Sequence, residues 1–540
     1  MAEEWWRGAV IYQIYPRSFM DSNGDGIGDL PGITAALDHV ARLGADAIWI
    51  SPFFKSPMKD FGYDVSDYRA VDPIFGTLAD FDALLARAHA LGLKVIIDQV
   101  LSHTSSEHAW FAASRASRQG PQADWYVWAD PRPDGTPPNN WLSVFGGPAW
   151  QWDSRRRQYY LHSFLPEQPD LDFHCPAVQE ALLAEVRFWC ERGVDGFRFD
   201  ACNHQFHDAL LRDNPPADGG AVSTVRADNP YAMQLHLHDK SQPENLLFLE
   251  RLRRLLDEFG AMALGEVGDE NAPPLMARYT ERGKRLQMAY SFSLLTGEHS
   301  ARHLRTQVET LDHALARTGG WGCWAVSNHD VPRVATRWNA DGSADSRRDR
   351  LWLALLLSLR GSACVYQGEE LGLPEADVPF EWLQDPYGLA FWPEFKGRDG
   401  CRTPMPWRAD DRHAGFTRGT PWLPVDDAHR PLAIDRQDGD PDSMLSFSRA
   451  LLHWRRGQPL LRTGNILFRD APEPLLWFER RLGDSALEAV FNLSAEPATL
   501  ALPRGFAPLA DTPFSGARLD AGTLTLPPFG VFFGEAPHAA

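Results

Sequence analysis

The absences in this chain narrow its chemistry first. Basic residues are outnumbered: Lys and Arg total 53 against 72 Asp and Glu, a net charge of −19 over 540 residues. That balance repels phosphate backbones and anionic bilayers, so neither nucleic acid nor a membrane surface is an expected partner. Cysteine is sparse, and the six present (Cys175, Cys190, Cys202, Cys323, Cys364 and Cys401) include no C-x-x-C pair. This excludes a disulfide framework and a zinc ribbon, and it points to reduced core cysteines in a cytoplasmic protein. No apolar run reaches the length that spans a bilayer. The start, Met1-Ala2-Glu3-Glu4-Trp5-Trp6, is acidic and lacks an apolar segment, so no secretory leader is expected. Internal repeats and low-complexity tracts are missing as well, and the pattern carries no signal for oligomeric state.

What is present is apolar and aromatic. Apolar residues make up 44% of the chain, enough for a sizeable core, and the length implies more than one domain. There are 20 Trp, 30 Phe and 12 Tyr. Flat rings stack on the C–H faces of pyranoses, although Trp is equally a good core residue. Short apolar runs at Ala9–Pro16, Ala45–Pro52, Lys94–Val100, Val194–Asp200, Ala261–Val267, Gln287–Leu294, Cys323–Asp330 and Gly361–Gln367 alternate with amphipathic helical patterns. Several runs are apolar on both parities, as strands buried on two faces are. Eight strands with intervening helices predict an α/β fold, a (β/α)₈ TIM barrel.

The spacing is uneven. Residues 103–173 are rich in Pro, Gly, Trp, Asn and Asp, too long for a loop, and predict a small domain inserted after the third strand. After about residue 458 short β-like runs predict a C-terminal antiparallel β domain, a sandwich over 458–540. The barrel would then comprise 1–102 and 174–457.

The stretch Gly193-Val194-Asp195-Gly196-Phe197-Arg198-Phe199-Asp200 reads as a buried strand ending in a carboxylate. Alternation puts Arg198 and Asp200 on one side. The cation two residues away is expected to hold Asp200 ionised, as a covalent nucleophile needs. Alone, an Arg-x-Asp is more simply a structural pair. Here other strand ends are loaded too: Asp60-Phe61-Gly62-Tyr63-Asp64, Asp98 and His103, Glu266, and Ser327-Asn328-His329-Asp330. In such barrels chemistry sits at the C-terminal strand ends. Two carboxylates on adjacent strands suggest retaining glycoside chemistry, with Asp200 attacking the sugar carbon and a second acid protonating the leaving oxygen. Glu266, between apolar Leu264 and Val267, suits the raised pKa of a general acid, with Asp269 and Glu270 as rivals. Asp330 would be a third acid, on the sugar hydroxyls.

The blocks Asp98–His103, Gly196–Asp200, Gly265-Glu266-Val267 and Ser327–Asp330 resemble, in order, those of the α-amylase superfamily, glycoside hydrolase family 13. Val10–Phe19, Gln168–Asp172 and Arg402–Trp407 are similar to its α-glucosidase and oligo-1,6-glucosidase branch. The resemblance implies Asp200 as nucleophile, Glu266 as acid/base and Asp330 as transition-state stabiliser. It implies Tyr63 as a stacking platform, and His103, Arg198 and His329 as ligands of the non-reducing glucose. Asp60 and Arg398 would close the pocket for exo action, and Phe145 and Phe164 would line its rim. Ala201, directly after the nucleophile, goes in the family with α-1,4 rather than α-1,6 linkage. One departure is Ser102, where the family has Asn.

The run Asp21-Ser22-Asn23-Gly24-Asp25-Gly26-Ile27-Gly28-Asp29 offers oxygens from Asp21, Asn23, Asp25, Asp29 and the Ile27 carbonyl, similar to the first part of an EF-hand loop. Gly32 stands where an EF-hand has its last Glu, so a structural Ca²⁺ or Mg²⁺ is expected and no cofactor for catalysis. The expected activity is an exo-acting retaining α-glucosidase on small α-glucosides, preferring α-1,4 links. A transglucosylase or isomerase such as a trehalose synthase, or an oligo-1,6-glucosidase, would use the same intermediate. A non-catalytic transporter heavy chain shares the fold, but it needs a membrane helix and has no use for three acids.

Overall fold

The computed structural model describes residues 4–217, 225–226, 228–339, 342, 345–503 and 505–535. Met1–Glu3 of the acidic start and 536–540 of the C-terminal segment lie outside the described residues. Eight parallel strands close a barrel in which each strand pairs with its sequence neighbours and the last with the first. They are β1 (Val10–Ile14), β2 (Ala47–Ile50), β3 (Lys94–Val100), β4 (Gly196–Asp200), β5 (Met262–Glu266), β6 (Met288–Ser291), β7 (Gly322–Ala325) and β8 (Ser362–Tyr366). Seven lie within the runs expected from the sequence, and β7 begins one residue before its run, at Gly322. The seventh is shorter than expected: β7 ends at Ala325, and Ser327–Asp330 form a turn beyond it.

The two strand faces sort by parity. Ile11, Ala47, Trp49, Ile96, Met262, Leu264, Met288, Tyr290, Cys323 and Cys364 fill the barrel interior as one cluster. Val10, Tyr12, Ile48, Val95, Ile97, Phe197, Phe199, Ala263 and Val365 belong to the outer cluster, packed under the helices. Gly196 is glycine because a Cβ there would lie 2.6 Å from the Met262 side chain.

Local signals set the helices. Asp29 caps Leu30–Leu43 by accepting the Gly32 N–H at 2.6 Å, and Gly44 ends it at φ +96°. Thr77 and Asp80 form a capping box for Leu78–Ala90. Pro176 opens Pro176–Glu191, whose Leu182, Val186 and Trp189 are buried.

Between β3 and β4 a small antiparallel sheet forms from Trp128–Ala129, Gln158–Leu161 and Trp150–Asp153. It is tied to the barrel mouth by bridges from His103 to Asp170 and from Tyr126 to Leu171. The C-terminal region is antiparallel: a five-stranded sheet built around Leu475–Leu482, Ser485–Asn492 and Val531–Glu535, and a three-stranded sheet. In the latter Ala498–Ala501 pairs with Thr523–Leu526, a strand the sequence pattern did not signal.

Candidate active site

Register brings the polar residues together. Asp98 on β3 lies beside Arg198 on β4, and Leu264 on β5 flanks Arg198 from the other side. Arg198, Asp200 and Glu266 therefore share the inward parity at the barrel mouth. The Arg198 guanidinium meets three carboxyls: Nη1 is 2.5 Å from Asp200 Oδ1 and 3.0 Å from Asp98 Oδ1, and Nη2 is 2.6 Å from Glu266 Oε1. The Ala201 N–H donates to Glu266 Oε2 at 2.8 Å. Asp269 and Glu270, the rival acids, instead engage Ser241 at 2.5 Å and Lys240 at 3.2 Å.

Burial dominates the protonation of these groups. It raises Asp200 to about 6, with Arg198 pulling the other way. Desolvation outweighs the pull of Arg198, and at about 6 Asp200 is still mostly ionised at neutral pH. Burial raises Glu266 to about 8; Arg198 opposes it, and the nearby charges of Asp200 and Asp330 add to it. Burial would raise Asp330 too, but His329, Arg398, Arg402 and Arg198 reverse this and hold it below the usual carboxylate range.

Asp330 is aimed by an Asx turn in which Asn328 Oδ1 accepts the N–H of Asp330 and Val331, at 2.8 and 3.1 Å. His329 behind it bridges two residues. Gln13 lies 2.7 Å from its Nδ1 and the Tyr63 hydroxyl 2.6 Å from its Nε2. The Tyr63 hydroxyl is also 3.2 Å from Asp98. The Tyr63 ring lies parallel to the His329 ring, with centroids 5.5 Å apart and 5° between planes. Burial holds His329 at about 3 and His103 at about 4, so both rings are neutral at physiological pH. His103 Nε2 lies 3.2 Å from the Tyr63 carbonyl, and its Nδ1 is 3.0 Å from Ser102 Oγ. The departure at Ser102 thus supports its own neighbour.

Arg398 sits at the centre of a second charged cluster. It donates to Asp60 at 2.9 Å and to Asp330 at 3.3 Å. It also lies 5.2 Å from the Phe145 ring centroid. Phe145 packs on Phe164 and Tyr387, and Phe164 packs on His103 and His204. All nine residues expected to bind sugar therefore lie around Arg198 and Arg398. The sequence reading did not place three others here. Asp385 takes Arg398 at 2.8 Å, Arg402 donates to Asp330 at 2.9 Å, and Gln168 donates to Asp60 at 3.2 Å. Arg402 and Gln168 stood in motifs already noted; Asp385, in a loop of mixed composition, had no signal.

The Asp21–Asp29 run folds as a chain of Asx turns. Asp21 accepts the N–H of Asn23, Gly24 and Gly26, and Asp25 accepts that of Ile27. Asp29 spends both oxygens on Gly32 and Ser22. Its three carboxylates do not converge by themselves: the one cluster of three His, Cys, Asp or Glu ligand atoms among the described residues lies elsewhere. The donor chemistry, oxygen only, nevertheless fits a hard cation, and the Ile27 carbonyl accepts no hydrogen bond from the described residues.

Comparison with known proteins agrees with this geometry. The pattern of the family described as "Alpha amylase, catalytic domain" matches residues 13–464. The chain is 56% identical over 536 residues to the "Probable alpha-glucosidase" of Rhizobium meliloti (strain 1021), covering 98% of this chain and 97% of that protein. It is 36% identical over 528 residues to the "Oligo-1,6-glucosidase" of Heyndrickxia coagulans, covering 91% and 92%. The solved structure of the "alpha-glucosyl transfer enzyme, XgtA" superposes with a TM-score of 0.96 at 59% identity, covering 98% of this chain and 99% of that one. Fold, site and relatives define a barrel glycosidase. The chain belongs to the α-amylase family, glycoside hydrolase family 13, in the branch of the α-glucosidases and oligo-1,6-glucosidases. That excludes the non-catalytic reading, and no helix among the described residues is long and apolar enough to cross a membrane.

Proposed function

We propose that this protein is an exo-acting retaining α-glucosidase that prefers short α-1,4-linked substrates such as maltose. The observation that carries the reading is the close pairing of Asp200 and Glu266 on Arg198. Retaining enzymes hold their two carboxyls about 5–5.5 Å apart, whereas inverting ones leave about 6.5–9.5 Å for a water. Asp200 and Glu266 each hold one amino group of the same guanidinium, a closeness that favours the retaining arrangement. Asp200 Oδ forms the bond to C1 as the glycosidic C1–O bond breaks, and the Glu266 proton passes to the leaving oxygen. A water then attacks C1, gives its proton to Glu266 and releases Asp200. The spread of pKa, about 6 for Asp200 and about 8 for Glu266, matches those roles near neutral pH. Asp330, kept ionised by two guanidinium groups, supplies negative charge beside the oxocarbenium-like centre.

The Asp60–Arg398 pair supports exo action, because it walls the end where a longer chain would continue. Transfer to a sugar hydroxyl follows from the same intermediate when an acceptor replaces water, and the likeness to a protein named as a glucosyl transfer enzyme favours it as a second activity. Free cysteines throughout the described residues favour the cytoplasm. The Asp21–Asp29 loop would hold a structural Ca²⁺ or Mg²⁺ through Asp21, Asn23, Asp25 and the Ile27 carbonyl. The deciding experiment follows the first glucose released from an aryl α-glucoside by NMR, since that substrate yields glucose from the cleaved bond alone. α-Glucose supports retention; initial β-glucose rejects it. Products from maltose, isomaltose, sucrose and trehalose at low and high concentration separate hydrolysis from transfer.

A further inference from the structure

Asp172, His174 and His207 meet outside the sugar pocket. Asp172 and His174 lie where the chain leaves the inserted sheet for helix Pro176–Glu191, and His207 lies in the loop after β4. Their ligand atoms gather within 4.8 Å of one another. Two imidazoles and a carboxylate from separate segments form a mixed nitrogen and oxygen set.

Three details suit metal binding. First, His174 Nε2 donates to the His207 carbonyl at 2.9 Å. That bond sets the tautomer and leaves the Nδ1 lone pair free, as the second hydrogen bond of a metal-ligating histidine does. Second, Asp172 Oδ1 accepts the His174 N–H at 2.9 Å, which holds the carboxylate beside that ring. Third, His207 is only 7% exposed, and its ring makes no hydrogen bond to the described residues. The ring nitrogens are not sealed from water, so they are open to an entering ion. The two rings stand edge to face, 4.9 Å between centroids. Asp172 and His174 are half-buried, so an ion has a route from solvent.

We propose that Asp172, His174 and His207 bind a divalent transition metal of the Zn²⁺ or Co²⁺ kind. Closure by about an ångström brings three such atoms to bond lengths of about 2.0–2.2 Å, with water in the open position. Ca²⁺ and Mg²⁺ prefer all-oxygen sets and are excluded by the two imidazoles. The ion would clasp the end of the inserted segment to the loop that begins at Ala201 and carries His204 against Phe164, 5.3 Å between ring centroids. Its place is structural, stiffening the rim of the pocket without touching sugar.

The test uses the full chain, stripped with a chelator, returned to excess Ca²⁺ and titrated with Co²⁺. The expected result is one Co²⁺ per chain with the visible absorption of a four- or five-coordinate ion, and a higher melting temperature. Asp172→Asn and His207→Ala should each weaken Co²⁺ affinity at least tenfold and abolish the thermal gain. Asp172→Asn keeps the side chain's size and an acceptor for the His174 N–H, so it decides the matter even if His207→Ala folds poorly. No binding by the parent, or the same spectrum and affinity in a folded variant, overturns the proposal.

Discussion

The backbone N–H of Ala201 donates to Glu266 Oε2 at 2.8 Å, so the residue after one carboxyl orients the other. Ala201 does this at φ +40°, a left-handed conformation that few residues other than glycine adopt. The contact sets a strained backbone directly after Asp200 against the proposed acid, sixty-five residues further along the chain.

Ala201→Val is expected to shift preference from maltose toward isomaltose. Added methyls crowd the space beside Asp200 where an O4-linked sugar would sit. Such a change is worth about 1–3 kcal/mol, or about 10–200-fold in relative kcat/KM. A β-branched residue is also strained at this φ, so the variant should melt lower than the parent. Paired kcat/KM measurements on the two disaccharides check the first effect. A parent that already prefers isomaltose widely would assign linkage to another residue.

The pH profile of kcat/KM should be bell-shaped. Asp200 must be ionised, so activity falls as pH drops through about 6. Glu266 must be protonated, so activity falls as pH rises through about 8. The two groups interact, and the limbs report the pair. In Glu266→Gln, assayed with an activated aryl α-glucoside that needs no protonation, the glycosyl-enzyme should still form and the upper limb should vanish. An upper limb that survives there points to a different acid.

Asp200→Asn should reduce kcat by about 10⁴–10⁶-fold, as loss of a covalent nucleophile does. Arg198 keeps Asp98 and Glu266 as partners, so circular dichroism and melting should remain close to the parent. Comparable kcat in the folded variant would refute the nucleophile assignment.

Asp60→Ala should raise KM for maltose more than it lowers kcat, and narrow the advantage of maltose over longer α-1,4 chains. Arg398 loses one partner but keeps Asp385 and Asp330, so the cation is still paired. Arg398→Ala is the harsher change, taking from buried Asp60 and Asp385 the guanidinium that pairs them and leaving only the more distant Arg402, at about 3–5 kcal/mol of stability. Initial rates on maltose through maltoheptaose, with thermal melts of both variants, test this.

Chelation should lower the melting temperature and leave kcat/KM nearly unchanged below it, because a cation bound only to the native state stabilises by mass action. Restoring Ca²⁺ in the presence of Asp21→Ala should not recover the loss. Calorimetric scans with elemental analysis check this outcome.

Much of the site is legible from residues alone because of strand periodicity. Arg198 and Asp200 had to share a face, and Glu266 had to end the neighbouring strand. Asp385 was not legible, since nothing local in Gln384-Asp385-Pro386 foretells Arg398 thirteen residues on. His174 and His207 were silent for the same reason: thirty-three residues separate them, and only the return of the chain to β4 brings the rings together.

By itself the sequence determined the element order, the eight barrel strands and the identity of the acids at their ends. Those follow from local periodicity, caps and apolar runs, which act over a few residues. Tertiary structure decided the protonation. Arg198 beside Asp200 argues for a depressed carboxyl, yet burial among Asp98, Glu266 and the barrel interior lifts it. Asp330, whose charge the sequence left unargued, is pulled down by His329, Arg398 and Arg402, the two arginines arriving from beyond β8. The reason is physical: desolvation and charge act through space, and the separation that sets them is fixed by the closed barrel, not by the distance along the chain.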